Sequence, residues 1–206
     1  MTTDWTARDE SPRPLLNRRL AEFGTTIFAE MSALALRTGS INLGQGFPDT
    51  DGPEEVREAA VRALRDGRGN QYPPGLGVPE LRHAIAEHQH RFHGLVHDPD
   101  TEVLVTAGAT EAIAAALLAL VEPGDEVIAL EPYYDSYAAC IAMAGGVRVP
   151  VTLRPQEQGF CLDLDELRTA VTGRTRLLLI NTPHNPTGTV LTRDGALSDR
   201  RARRRA

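Results

Sequence analysis

Three short segments carry residue types suited to holding a phosphorylated, flat ring. In Thr106 to Ile113 (TAGATEAI) an apolar run gives way to small residues and then to a helix-forming stretch. Backbone N–H groups and the Thr110 hydroxyl would then converge at a helix N-terminus, a setting that favours phosphate. A Thr in that place is equally a plain N-cap. Tyr133 and Tyr134, in EPYYDSY, offer an aromatic face to a heterocycle, or else pack in the core. NTPHNPTG (Asn181 to Gly188) joins two asparagines, two prolines and a glycine, which fixes an irregular loop that presents an amide. A side-chain amine is missing: all 22 basic residues are arginine.

These segments need a scaffold, and the hydrophobic spacing supplies one. From Glu54, the residues Val56, Ala59, Ala60, Ala63 and Leu64 recur at helical spacing until Gly67. A Gly- and Pro-rich loop over Gly69 to Gly77 leads into a second amphipathic helix, Pro79 to Phe92. Short apolar runs then alternate with helices. Strands are predicted over Glu102–Thr106, Glu126–Leu130, Val147–Leu153 and Arg176–Asn181. Between them come helices over Thr110–Val121, Tyr134–Ala144 and Leu164–Val171, the last opened by Asp163 as its cap. Strands as continuously apolar as Leu177 to Ile180, joined by helices, predict a largely parallel sheet covered on both faces. Such a sheet binds ligands at the carboxyl ends of its strands, which puts the three segments on one rim.

Five motifs, NLGQGFPD (Asn42 to Asp49), QYPPGLGVPELR (Gln71 to Arg82), TAGATEAI, EPYYDSY and NTPHNPTG, follow one another in a characteristic order and spacing. On them, roughly residues 20 to 194 resemble the N-terminal part of the class I/II, fold-type I aminotransferases that use pyridoxal 5'-phosphate (PLP). The look is nearest to the kynurenine, glutamine and methionine aminotransferase branch. The resemblance implies a mostly parallel, three-layer α/β/α large domain, incomplete in this chain. It divides the chain into an N-terminal arm and small-domain segment (1–45), a partial PLP-binding domain (46–194) and a non-homologous tail (195–206).

It further implies that Ala109 and Thr110 hold the cofactor phosphate, that Tyr134 stacks on the pyridine ring and that Asn185 hydrogen-bonds the ring hydroxyl. Gly46 would line the pocket near the substrate carboxylate, and Tyr72 would reach across a homodimer interface to the partner's cofactor phosphate. The implied reaction moves an amino group between an amino acid and a 2-oxo acid, in a cytoplasmic enzyme. That chemistry needs a Schiff-base lysine, first to hold the cofactor and then as the base. With no lysine present, no catalytic residue is assigned and this chain alone is predicted to be inactive. A PLP-dependent carbon–sulfur β-lyase of the same fold and a non-catalytic PLP-binding remnant stand as alternatives.

Beyond Asp194 the resemblance stops. Thr192 reads as an N-cap, yet Gly195 stands where a capping box would have Glu, and no apolar face follows. Five arginines crowd the last seven residues, as a shifted reading frame in a GC-rich gene would produce, so a frameshifted or truncated product is the expectation. Removing those arginines and Asp199 takes the formal net charge from -6 to -10, and an acidic body argues against a nucleic-acid partner. With 41% hydrophobic and 24% charged residues the composition is globular. Met1 to Pro14 lacks the apolar run of a signal or anchor, so no membrane association is predicted. Cys140 and Cys161 read as buried thiols. His83, His88, His90, His93 and His97 crowd one segment without completing a ligand set, so a solvated helix face is expected and no metal.

Overall fold

The computed structural model describes residues 17–44, 46, 48, 50–157 and 159–191. Residues 1–16, the Thr192 cap and the tail 195–206 lie outside them. Contacts group the chain into two units, one of Thr26–Ala112 and one of Met1–Thr25 with Ile113–Ala206.

The first unit is helical. Helix α1 (Ile27–Thr38) is opened by the Thr26 hydroxyl, which accepts from the Ala29 N–H, and closed by Gly39 in the left-handed region. The sequence reading had no element here, although Thr26 and Gly39 are legible start and stop signals. Helix α2 (Glu54–Arg65) ends just before Gly67, and α3 (Pro79–His93) has its proline in the first turn. The predicted strand over 102–106 does not form. A strand exists only through a partner's ladder, and the Val105 N–H instead donates to the Leu76 carbonyl at 3.0 Å.

Helix α4 (Gly108–Leu120) spans the division, and the second unit holds the sheet. Its strands β1 (Glu126–Glu131), β2 (Val147–Thr152) and β5 (Thr175–Leu179) run parallel in the order β2-β1-β5. Val127 pairs with Arg148 on one side and Leu177 on the other. Central β1 is buried over its first five residues, Glu126 and the apolar run Val127–Leu130, and successive residues feed opposite faces. Val127 joins Leu117 and Val121 from the end of α4 and Cys140, Ile141 and Ala144 from α5 (Ser136–Ala144). Ile128 and Leu130 join Val151, Leu153 and, from α6 (Leu164–Ala170), Leu167 and Ala170. Helices therefore cover both faces, giving the three-layer α/β/α arrangement. Each such aliphatic burial contributes about 1.5–3 kcal/mol.

Asp163 caps α6 as predicted, its carboxylate accepting from the Asp165 and Glu166 N–H groups. Helices α4 and α5 each start two residues away from the predicted position, at Gly108 and Ser136. A short antiparallel hairpin, β3 (Arg154–Gln156) with β4 (Gly159–Cys161), was not foreseen. Strand β5 is not covered on both faces: Leu177 packs into the core, but Leu178 and Ile180 remain 39% and 53% exposed. It lies at an edge of the described sheet, where no neighbouring layer closes over those two side chains.

Candidate cofactor site

In the sheet unit, parallel β1 and β5 are adjacent, so the turns that follow them leave from one rim. Tyr134 follows β1 and Asn185 follows β5, and the structure brings these two expected residues to that common rim. Tyr134 is half-buried, its ring edge-on to Tyr137 with centroids 6.0 Å apart. Tyr133 is otherwise engaged: it stacks on Tyr137, and the Arg148 guanidinium lies 5.0 Å from its ring centroid. Burial, with Tyr134 adding to it, pushes the Tyr137 phenol up from its ordinary value. The Ser136 hydroxyl, in the same turn, is buried and has no hydrogen-bond partner among the described residues, so the turn retains polar capacity for a ligand.

The NTPHNPTG loop closes on itself. Asn181 Oδ1 accepts from the Asn185 N–H at 2.7 Å, leaving the Asn185 side chain exposed. The His184 N–H donates to the Thr189 carbonyl at 2.8 Å, and the Gly188 N–H to the His184 carbonyl at 2.7 Å. His184 itself is 4% exposed, a burial that a lone histidine between prolines and asparagines does not announce. Its Nδ1 lies 2.9 Å from Thr187 Oγ1. Burial holds its imidazole below the ordinary histidine value, partly opposed by a hydrogen bond to the Leu130 backbone.

In the helical unit, Ala109 and Thr110 are the second and third residues of α4. First-turn amides have no acceptor within their own helix. The Ala107 N–H is taken by the Glu111 carboxylate and the Gly108 N–H by the Thr106 carbonyl, at 2.8 Å. That leaves the next two amides as the donors of this turn. Gly108 has φ +82°, which an L side chain rarely adopts. The approach to the turn is stapled. Buried Arg82 donates through Nε to the Gly77 carbonyl at 3.2 Å, and through one terminal nitrogen to the Pro99 carbonyl and, at 3.0 Å, Asp100. Tyr72 is fully exposed and Gly46 has open space around it.

Of the crowded histidines, His83 bonds the Pro79 carbonyl through Nδ1 and His88 packs on Phe92. Among the described residues no three His, Cys, Asp or Glu side chains gather as metal ligands, and no helix is long and apolar enough to cross a membrane. Cys140 is buried, which pushes its thiol up, and Cys161 is half-buried.

A parallel sheet between helices, with aromatic and amide turns at the carboxyl ends of its strands, is an α/β architecture of the kind that binds ligands at that rim. The sequence model described as Aminotransferase class I and II matches residues 38–196. The chain belongs to that family. It is 62% identical over 173 residues to the probable N-succinyldiaminopimelate aminotransferase of Mycobacterium tuberculosis, covering 84% of this chain and 43% of the relative. It is 49% identical over 172 residues to the methionine aminotransferase of Escherichia coli, covering 84% and 44%. The solved N-succinyldiaminopimelate aminotransferase of M. tuberculosis superposes with a TM-score of 0.81 at 60% identity, over 85% of this chain and 45% of that one. The chain thus spans less than half the length of these relatives.

Proposed function

We propose that this chain is the cofactor-holding part of a PLP-dependent aminotransferase. The observation that carries the reading is that family membership coincides with the rim on which Tyr134 and Asn185 follow adjacent parallel strands. The residues present fit the group. First-turn amides at Ala109 and Thr110 suit a phosphate, the Tyr134 ring suits a planar heterocycle, and the exposed Asn185 amide suits a ring hydroxyl. Gly46, with no side chain, leaves room for a substrate carboxylate. Fully exposed Tyr72 is the residue assigned to a second subunit's site in a homodimer.

When bound, PLP supplies an electron-withdrawing ring for chemistry at the substrate α-carbon. Tyr134 and Asn185 would hold that ring by its face and hydroxyl, and the Ala109 and Thr110 amides are of the kind that would hold its phosphate. None of the 206 residues is a lysine, so they supply neither the covalent anchor nor the base, and arginine is too strongly protonated to replace it. The substrates proposed are an amino acid and a 2-oxo acid. N-succinyldiaminopimelate and methionine are the first donors to try, after the relatives' names. Nothing favours a carbon–sulfur lyase, whereas the missing amine favours binding without turnover for this chain alone.

The test is titration of purified chain with PLP, followed by absorbance and by borohydride treatment. Saturable binding that weakens in Thr110→Val and Asn185→Ala supports the reading. Binding no tighter than to an unrelated acidic protein overturns it.

A further inference from the structure

Two segments of the helical unit touch on the way to the proposed phosphate contacts. One is the Gly- and Pro-rich loop that carries Tyr72, and the other runs from Asp98 to the Ala109–Thr110 turn. The Val105 N–H donates to the Leu76 carbonyl at 3.0 Å, and a Cβ on Gly77 would fall 2.5 Å from Val105 Cγ2. Each segment is stiff in itself. Pro73 and Pro74 follow Tyr72, and the Gly77 N–H closes a turn on the Pro74 carbonyl at 2.8 Å. In the other segment the Asp98 carboxylate accepts from the Asp100 N–H and the Thr101 hydroxyl, both at 2.9 Å, and the Asp98 N–H donates to the Glu102 carboxylate at 2.8 Å.

Arg82, on α3 and only 7% exposed, reaches both segments. Its Nε donates to the Gly77 carbonyl at 3.2 Å, and one terminal nitrogen donates to the Pro99 carbonyl and, at 3.0 Å, to the Asp100 carboxylate. A buried guanidinium without acceptors is costly, so the cation and the two segments hold each other in place. We infer that Arg82 is a positioning residue that locks the Tyr72 loop and the segment leading into the Ala109–Thr110 turn in one arrangement, carrying both sets of phosphate contacts on a single frame. This assignment rests on the reading of Tyr72, Ala109 and Thr110 as phosphate contacts. It makes the planar fork of the guanidinium, rather than its charge, the feature that matters. A lysine keeps the charge but has one nitrogen for two separate groups of acceptors.

The experiment compares wild-type chain with Arg82→Gln, Arg82→Lys and Asp100→Ala, and with Arg174→Gln, which removes the ion pair to Glu126 in the other unit. Amide hydrogen exchange is read without ligand, and binding is titrated with PLP and with pyridoxal, which lacks the phosphate. In Arg82→Gln the Gly77 and Val105 amides should exchange about tenfold faster, and the preference for PLP over pyridoxal should fall by a similar factor with pyridoxal affinity unchanged. Arg82→Lys should move the same readouts by about threefold or more. Asp100→Ala, which leaves the arginine in place, should speed exchange at Val105 about threefold. Arg174→Gln should lower stability and leave exchange at Gly77 and Val105, and the PLP preference, as in wild type.

The inference is overturned if the Arg82 variants leave exchange at Gly77 and Val105 unchanged, if Arg82→Lys behaves as wild type, or if pyridoxal affinity falls as far as PLP affinity. Should the Arg82 variants fail to fold, unchanged exchange at Val105 in Asp100→Ala overturns it. Should the wild-type chain show no preference for PLP over pyridoxal, the phosphate reading fails by itself. The exchange measurements then still decide whether Arg82 locks the two segments together.

Discussion

Replacing Gly77 with alanine attacks the staple that leads into the Ala109–Thr110 turn. Gly77 has φ +99°, and a Cβ built there falls 2.5 Å from Val105 Cγ2 and 2.6 Å from Val105 Cβ. An L side chain in left-handed backbone costs about 1–2 kcal/mol, and overpacking a buried contact costs about 1–3 kcal/mol. Gly77→Ala should therefore remove about 2–5 kcal/mol from a typical total of about 5–15 kcal/mol. Val105 cannot retreat freely, because its N–H is bonded to Leu76 and the Gly77 carbonyl is held by Arg82. Urea unfolding followed by circular dichroism gives the loss, with an unchanged slope indicating that the same surface is exposed. Adding Val105→Ala should relieve the clash but not the backbone term, so the double variant should recover about 1 kcal/mol or more relative to strict addition. A loss below about 1 kcal/mol for Gly77→Ala, or strictly additive losses, would refute the reasoning.

Three further outcomes are expected. Glu126, 4% exposed, is held below the ordinary glutamate range first by the Thr172 hydroxyl and, against the effect of burial, by Arg174. Its folded value lies below its unfolded one, so its stabilisation is present above the ordinary glutamate range and lost as pH falls through the lowered value. Glu126→Gln should flatten that part of an acid unfolding curve. Asp163→Ala, which frees two amides at the start of α6, should cost about 1 kcal/mol by thermal unfolding. Mixed with PLP and an amino acid, the chain should give no adduct at an internal residue that borohydride reduction fixes as a secondary amine, read by mass spectrometry, and show no amino transfer above free PLP. A labelled internal peptide would contradict this.

Much of the scaffold was legible because it is local. The apolar spacing of Val56 to Leu64, and the unbroken run of β1, declare helix and strand without reference to anything distant. Helix α4 begins earlier than Thr110 because the Glu111 carboxylate reaches back to Ala107, a contact that helix-start rules based on Ser and Thr overlook. The run from Glu102 to Thr106 has strand composition but no ladder, since pairing is a property of two segments and only one is written there. Residues Leu178 and Ile180 look like core for the same reason: their chemistry is apolar, but covering them takes a layer that the run itself does not specify. The aromatic and amide turns could be read from their unusual strings. His184 could not, because the burial of a loop histidine depends on how the rest of the chain packs around it.

The strand order has a consequence for the timing of folding. Strand β1 is the centre of the described sheet yet the first of its three described strands to be made, and Glu126 waits for Thr175 as a partner. At about 5–20 residues per second of synthesis, β5 follows β1 from the ribosome by about 2–10 s. During that interval the apolar residues Val127 to Leu130 have β2, α4 and α5 to shelter them but one open ladder. The nascent chain therefore passes through a two-stranded stage whose exposed β1 backbone is a target for premature pairing. The rate at which β5 docks sets how long that hazard lasts.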